Sequence, residues 1–251
     1  MSTSNNGKMD SSILVRQNEN EEGNWWIEAR KTLFTREICK QPPWNESKAL
    51  EIGPGTGSNL GVFKQNGFSD IHISDIDVNP LDYCIRKGFD SATIADASRL
   101  PFRDNVFNSV LAGDVLEHVP NDKNAASEIY RVLSPGSEAI FTVPAFMVLW
   151  SKHDELAGHK RRYKKKEFLA LLENAGFYVQ DIYYFNWILF FPTLFVKTVL
   201  NVLTPNQYSD ATSVPKYLNR VLTKLLNIDI WLAGRINIPF GVSVYAKVLK
   251  P

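Results

Sequence analysis

Between residues 49 and 143 the chain alternates short apolar runs with longer segments whose apolar residues recur at helical spacing. Residues 49–52, 71–77, 92–96, 106–114 and 138–143 read as strands. The run at 106–114 is apolar on both faces, as expected of a strand inside a parallel sheet. Residues 121–133 read as a helix, closed by the turn Ser134-Pro135-Gly136. Such alternation predicts a doubly wound α/β sheet, with ligands at the carboxyl ends of the strands. Gly53, Asp77, Asp96 and Asp114 all fall at those ends.

The flanks differ in pattern. Residues 24–40 form an amphipathic helix with Trp25, Ile27, Ala29, Leu33, Phe34 and Ile38 as its apolar positions, stopped at Gln41-Pro42-Pro43-Trp44. Trp25 and Trp26 either pack this helix on the sheet or make an aromatic lid, with Arg30 available to an anionic group. Residues 1–22, rich in Ser, Asn and Glu, are expected to be disordered, and 23–251 to form one domain. A helix at 164–175 ends at Gly176, a strand follows at 177–185, and an alternating strand at 241–250 can pair with it. Between them, 185–238 is an insertion with an apolar start at 187–196. Pro192 and Lys197 interrupt that start, which argues against a membrane-spanning helix. A cover for the acceptor pocket, a dip into a membrane surface and a dimer face are the alternatives. Lys216, Arg220 and Lys224 recur at helical spacing, facing either anionic headgroups or water.

Composition narrows the function classes. A chain of 251 residues with 44% hydrophobic residues can bury a full core, and its net charge of only +1 gives no field for nucleic acid. Cys39 and Cys84 make no metal-ligand pattern and no convincing disulfide. No metal and no nucleic-acid partner is expected, and with no apolar signal-peptide core the expected location is cytoplasmic.

The chemistry begins at Leu50-Glu51-Ile52-Gly53-Pro54-Gly55-Thr56-Gly57, a strand, a glycine-rich turn and a helix start. A nicotinamide fingerprint would need its third glycine at Ser58. Asp77, 20 residues after Gly57, can accept from two ribose hydroxyls. Asp75 competes, and period-two alternation puts both on one side of the strand. Strand-end position favours Asp77.

Together these residues resemble the class I S-adenosylmethionine (SAM) dependent methyltransferases. The glycine loop is similar to their first motif, Asp77-Val78-Asn79-Pro80 to the second, and Asp96-Ala97 with Leu100-Pro101-Phe102 to the adenine-binding turn. Asp114-Val115-Leu116-Glu117-His118-Val119 and Arg131-Val132-Leu133-Ser134-Pro135-Gly136 match the segments around the fourth and fifth strands. The resemblance implies a Rossmann-like fold with a seven-stranded, mostly parallel sheet and helices on both faces. It also implies roles. Gly53, Gly55 and Gly57 admit the methionine part of SAM, with Glu51 near its ammonium. Asp77 and Val78 meet the ribose, and Asp96 and Ala97 the adenine. Gly113 and Asp114 lie beside the sulfonium.

The implied reaction is methyl transfer to a small-molecule or lipid- or sugar-linked acceptor, at oxygen rather than nitrogen or carbon. A non-catalytic SAM-binding subunit and a nicotinamide enzyme on the same fold are the rivals. Of four histidines, His72 lies inside a strand. His118, His153 and His159 fall where an acceptor would meet the methyl, and each is a candidate base. The segment from His153 to Tyr163 resembles a His-Asp-x-x-x-x-Gly-His-x-Arg-Arg-Tyr signature of a subset of these enzymes that also carries Trp-Trp and Arg in its first helix. That likeness implies Trp26, Arg30, Arg162 and Tyr163 as acceptor-binding residues.

Overall fold

The computed structural model describes residues 14–15, 18–19, 21, 23–38, 47–89, 91–203 and 214–251. Most of 1–22, Cys39 and the expected helix stop at Gln41-Pro42-Pro43-Trp44 lie outside them. Helix α1 (Trp25–Glu37) leads into β1 (Lys48–Ile52), α2 (Leu60–Gln65), β2 (Asp70–Asp75), α3 (Val78–Arg86), β3 (Ala92–Ile94) and β4 (Phe107–Gly113). Then come α4 (Asp122–Val132), β5 (Leu133–Pro144), a 3-10 turn at Met147–Leu149, α5 (Lys152–Ala157), α6 (Lys165–Asn174) and β6 (Tyr178–Phe185). Helices α7 (Phe190–Leu203) and α8 (Lys216–Ala233) and strand β7 (Ser243–Leu249) complete the chain.

The sheet has seven strands in the order β3-β2-β1-β4-β5-β7-β6. Strands β1 to β5 pair in parallel, and β7 alone runs against its neighbours β5 and β6. This is the seven-stranded, mostly parallel Rossmann-like arrangement that the resemblance implied. The order reverses at β1 and β4, so the crevice outside their carboxyl ends is the topological switch point.

Alternation along each central strand explains the two-layered core. In β4, Val110 and Ala112 face a cluster with Phe141, Ile129, Phe168 and Leu172 from α4 and α6. Leu111 faces the opposite cluster, where Ile73, Ile140 and Tyr245 meet Leu33 and Phe34 of α1 and Leu226 and Ile230 of α8. A strand buried on both faces has no polar side to show.

The insertion is built as a cover fastened at two points. Trp25 N–H donates to Asn219 Oδ1 at 3.1 Å, joining α1 to α8. Asp229, fully buried on α8, accepts from the backbone N–H of Asn186 at 2.6 Å and of Ile188 at 2.9 Å, just past β6. Pro192 does not interrupt the apolar segment. It sits in the first turn of α7, where its missing N–H has no partner to lose. Among the described residues no helix is long and apolar enough to cross a membrane. The Trp26 ring stacks on Phe185, with centroids 5.8 Å apart and planes 2° from parallel. Packing, rather than a lid, is what the structure gives this tryptophan.

Candidate active site

A cleft of about 210 Å³ opens at the switch point, lined by Gly53, Gly55, Asp75, Asp77, Asp96, Ala97, Asp114, Val115 and His118 among others. The glycine loop is shaped for close approach. Gly53 has φ +66°, and a Cβ there would lie 2.7 Å from Val115 Cγ2. Gly57 serves a different purpose from the one implied by its motif. It is not part of the cleft wall, and a Cβ there would press within 3.1 Å of Cys84 Sγ and Leu60 Cδ1. Its job is to let α3 close against the loop.

Glu51, 1% exposed at the end of β1, is the clearest sign of a cationic ligand. Asn59 Nδ2 donates to its Oε1 at 3.1 Å, while Oε2 is buried without a partner. Burial pushes the carboxyl up to about 8, against the opposing effects of Asn59 and Arg30. A buried acceptor of this kind suits an ammonium group, so the residues present fit the amino-acid end of SAM.

Of the two acids, Asp75 ends β2 and Asp77 precedes α3. The strand stops at Asp75, two residues earlier than expected, because Asp77 caps α3. Asp77 Oδ1 accepts from Asn79 N–H at 3.1 Å and from Asn79 Nδ2 at 3.0 Å, while Asp75 Oδ1 accepts from Asp77 N–H at 2.8 Å. Val78 begins the helix with its side chain exposed and outside the cleft wall. Asp96 accepts from Ser98 N–H at 2.7 Å and Ser98 Oγ at 2.8 Å, which fixes the turn at the adenine end. Ala97, buried, lines the cleft beside it.

Arg30 and Asp114 form the floor between cleft and cover. Arg30 Nη1 lies 2.9 Å from Asp114 Oδ2, with the guanidinium over the rings of Trp26 and Phe34. Thr142 Oγ1 donates to Asp114 Oδ1 at 3.2 Å. Asp114 has φ +57°, a conformation Asp tolerates better than most residues. Gly113 leaves room for the arginine, since a Cβ would stand 2.6 Å from Arg30 Nη2. Arg30 is therefore an internal partner of Asp114, not a free clamp for an acceptor anion.

The acceptor side is assembled from the segment after β5. Ser151 and Asp154 cap α5 reciprocally, and Gly158 in the left-handed conformation turns the chain back. That turn places His159 Nδ1 2.8 Å from Asp154 Oδ1. Asp154, fully buried, also takes two bonds from Arg162, Nε to Oδ1 at 2.8 Å and Nη2 to Oδ2 at 3.0 Å. Burial pushes Asp154 up, but the His159 hydrogen bond and the charges of Arg162 and Lys197 outweigh it and hold the carboxyl well below the usual range. Arg162 and Tyr163, expected to bind the acceptor, are engaged in internal hydrogen bonds. Arg162 Nη1 reaches Ala145 O at 3.1 Å, and Tyr163 Oη lies 2.9 Å from Asp122 Oδ2 and 3.1 Å from Leu116 O. Both fasten the segment to the sheet edge.

What faces the cleft is His118, with its ring centroid 4.6 Å from that of His159 and nearly perpendicular to it. Burial, then the neighbouring His159, pushes His118 down to about 3, so its imidazole is neutral. His153 stands one step further out, 6.1 Å from the His159 ring, and is also lowered by burial. His72 pairs with Asp70 at 2.9 Å, away from the cleft.

Three contributors were not assigned from the sequence. Leu14, 5% exposed, forms part of the cleft wall from within the segment expected to be disordered. Glu117 is fully buried beside His118, and Asp154 organises His159 and Arg162. Glu117 and Asp154 stand next to quoted histidines, which is a signal of sorts. Leu14 stands in the short run Ile13-Leu14-Val15, too brief to mark a wall residue.

Comparisons with known proteins agree with this geometry. A methyltransferase domain model matches residues 50–141. The ubiquinone/menaquinone biosynthesis C-methyltransferase UbiE of Brucella abortus (strain S19) is 27% identical over 173 residues, covering 55% of this chain and 63% of the relative. The chain thus spans somewhat less than two thirds of that relative's length. Among solved structures, a methyltransferase in complex with the Haloferax volcanii Trm112 activator superposes with TM-score 0.64 at 14% identity, covering 96% of this chain and 95% of that one. Geranyl diphosphate C-methyltransferase from Streptomyces coelicolor A3(2), solved with S-adenosyl-L-homocysteine, gives 0.59 at 10% identity over 89% and 79% of the two chains. Strand order and these matches give the chain the class I methyltransferase fold, with residues 50–141 similar to a methyltransferase domain.

Proposed function

We propose that the protein transfers a methyl group from SAM to an oxygen of a small or lipid-linked acceptor bound beside His118 and His159. The observation that carries this reading is the switch-point cleft whose wall joins Gly53 and Gly55 to Asp75, Asp96, Ala97 and a neutral His118, with the buried, unpartnered Glu51 Oε2 on the strand that leads into it. When bound, SAM supplies a methyl group on a sulfonium, which carries its own leaving group. The chain's work is placement. Glu51 holds the ammonium, Asp75 the ribose and Asp96 with Ala97 the adenine, while Asp77 keeps its role as helix cap. Leu14 and Val115 keep water from the reacting end.

On the acceptor side, the histidine pair marks the place where a hydroxyl proton is lost. The Asp154 carboxylate fixes the His159 tautomer with Nδ1–H, leaving Nε2 as an acceptor. A lipid-linked acceptor is favoured by α7. Lys197 on this helix reaches Leu149 O at 2.6 Å and lies 3.7 Å from Asp154 Oδ2, so α7 borders the acceptor side. It exposes Phe191, Phe195 and Val196. The UbiE relatives and the geranyl diphosphate enzyme are by name C-methyltransferases. Oxygen is preferred here because His159, with Nδ1 on Asp154 and Nε2 free to accept, suits a hydroxyl proton. An apolar tail on the acceptor would bring the protein to a membrane periphery, where Lys216, Arg220 and Lys224 would meet anionic headgroups.

The test uses methyl-labelled SAM with a panel of phenolic and aliphatic alcohols, with and without prenyl tails. Label in an ether product, lost in His118→Ala and His159→Ala variants that still bind S-adenosylhomocysteine, supports the reading. Label found on carbon or nitrogen would remove the oxygen assignment. Flotation with anionic liposomes checks the membrane part: protein left wholly in the unbound fraction contradicts it.

A further inference from the structure

Glu117, His118 and His159 converge on one point next to the cleft. One ligand atom from each lies within 4.8 Å of the others. Glu117 comes from the loop after β4 and is 0% exposed, and neither carboxylate oxygen accepts a hydrogen bond from another described residue. A carboxylate buried in that state needs a cation or a donor, and among the described residues only its own backbone N–H comes close enough to act on it. The positive charge of Arg162 is already taken by Asp154, and that of Arg30 by Asp114.

Each imidazole keeps one ring nitrogen free to act as a ligand. Asp154 accepts from His159 Nδ1, so Nε2 carries the lone pair. The Ala157 backbone accepts from the His118 ring, leaving its other nitrogen as an acceptor. A second carboxylate or carbonyl on the far side of each histidine is the arrangement that fixes metal-ligating imidazoles. Even if all three separations were the full 4.8 Å, the centre of the triangle would lie about 2.8 Å from each atom (4.8 divided by the square root of three). A metal–nitrogen bond is about 2.1 Å, so each side chain closes by about 0.7 Å at most.

We propose that Glu117, His118 and His159 bind a divalent transition-metal ion, with open coordination positions directed at the acceptor. One carboxylate and two imidazoles suit zinc, manganese, iron(II) or cobalt(II) rather than calcium or magnesium. The ion would hold an acceptor hydroxyl oxygen and acidify it, the proton leaving to solvent, so that the histidines act through the metal and not as free bases. This replaces the expectation of a metal-free site. Its place on the acceptor side rests on the methyl-transfer reading above; the binding of the ion itself does not.

The full-length protein, stripped with a chelator, is titrated calorimetrically with manganese(II) and with zinc(II), and separately with S-adenosylhomocysteine. One ion per chain is expected, with affinity reduced at least tenfold in Glu117→Gln and His118→Ala. Asp154→Asn is expected to weaken the ion by about 10- to 100-fold through His159. Cobalt(II) loading gives a visible ligand-field spectrum for the wild type that both ligand variants lose. S-adenosylhomocysteine binding by each variant reports that it is folded. Should a variant fail that control, an anomalous-scattering peak between the three side chains in wild-type crystals soaked in manganese decides the matter. No ion bound at millimolar concentration by wild type that binds S-adenosylhomocysteine overturns the metal site alone. Ion binding without S-adenosylhomocysteine binding supports the site and sinks the methyl-transfer reading.

Discussion

Arg30 Nη1 sits 2.9 Å from Asp114 Oδ2, and the same guanidinium occupies the space that a Cβ on Gly113 would need. One ion pair thus ties α1 of the cover to the end of β4 at the cleft. Replacing Gly113 with Ala is expected to push Arg30 off Asp114 and to lower both melting temperature and cofactor affinity. Arg30→Ala should cost about 1–3 kcal/mol, since it leaves Asp114 with only Thr142. Lysine should recover little of it, lacking the planar fork that lies over Trp26 and Phe34. Thermal melts and S-adenosylhomocysteine titrations of the three variants check this.

Glu51 gives a pH signature. Burial raises it to about 8 in the unliganded protein, so it is protonated at neutral pH. Binding an ammonium ionises it, which releases a proton and makes affinity rise with pH between 6 and 8. The same raised value means that the unliganded fold is stabilised at low pH and loses that stability as pH rises through about 8. Calorimetry in buffers of different ionisation enthalpy counts the proton. Glu51→Gln should bind at least tenfold more weakly and with no such release.

The two acids after β2 should separate cleanly. Asp77→Asn retains the cap and changes little, whereas Asp77→Ala costs about 1 kcal/mol of stability with cofactor affinity largely kept. Asp75→Ala should lower cofactor affinity about tenfold or more, because a carboxylate–hydroxyl contact contributes about 1.5–3 kcal/mol. Equal losses of affinity in Asp75→Ala and Asp77→Asn would contradict the division of labour.

Asp154 is the structural keystone of the acceptor side. Asp154→Ala leaves Arg162 buried and unpaired, and should cost about 3–5 kcal/mol. Because the Asp154 carboxyl is held below its unfolded value, its contribution is present above that value and is lost as pH falls toward acid. Urea midpoints of wild type and Asp154→Asn, compared from neutral to acid pH, should converge as the wild type weakens.

The sheet was legible because its strands are buried on both faces and its turns carry glycine and acid at fixed intervals. The glycine loop and Asp96 were legible for the same reason. Side-chain pairing was not. Arg162, Tyr163 and Arg30 look like free binding groups in the sequence, but their partners Asp154, Asp122 and Asp114 are distant in the chain or point inward only after folding. Strand-end position favoured Asp77 over Asp75, but the helix cap that Asp77 makes could not be seen in the sequence. Pro192 misled in the opposite sense, since a proline in the first helical turn ends nothing. Glu117 stood within a quoted motif, yet its buried, unpartnered state exists only in three dimensions.

The central claim is that the Gly53–Asp96 cleft binds SAM. A calorimetric titration of the purified protein with S-adenosylhomocysteine, SAM and NAD tests it most directly. One-site binding of both adenosyl ligands, weakened in Glu51→Gln and Asp75→Ala and absent for NAD, is the result predicted. Tight NAD binding with no response to SAM or S-adenosylhomocysteine would contradict it.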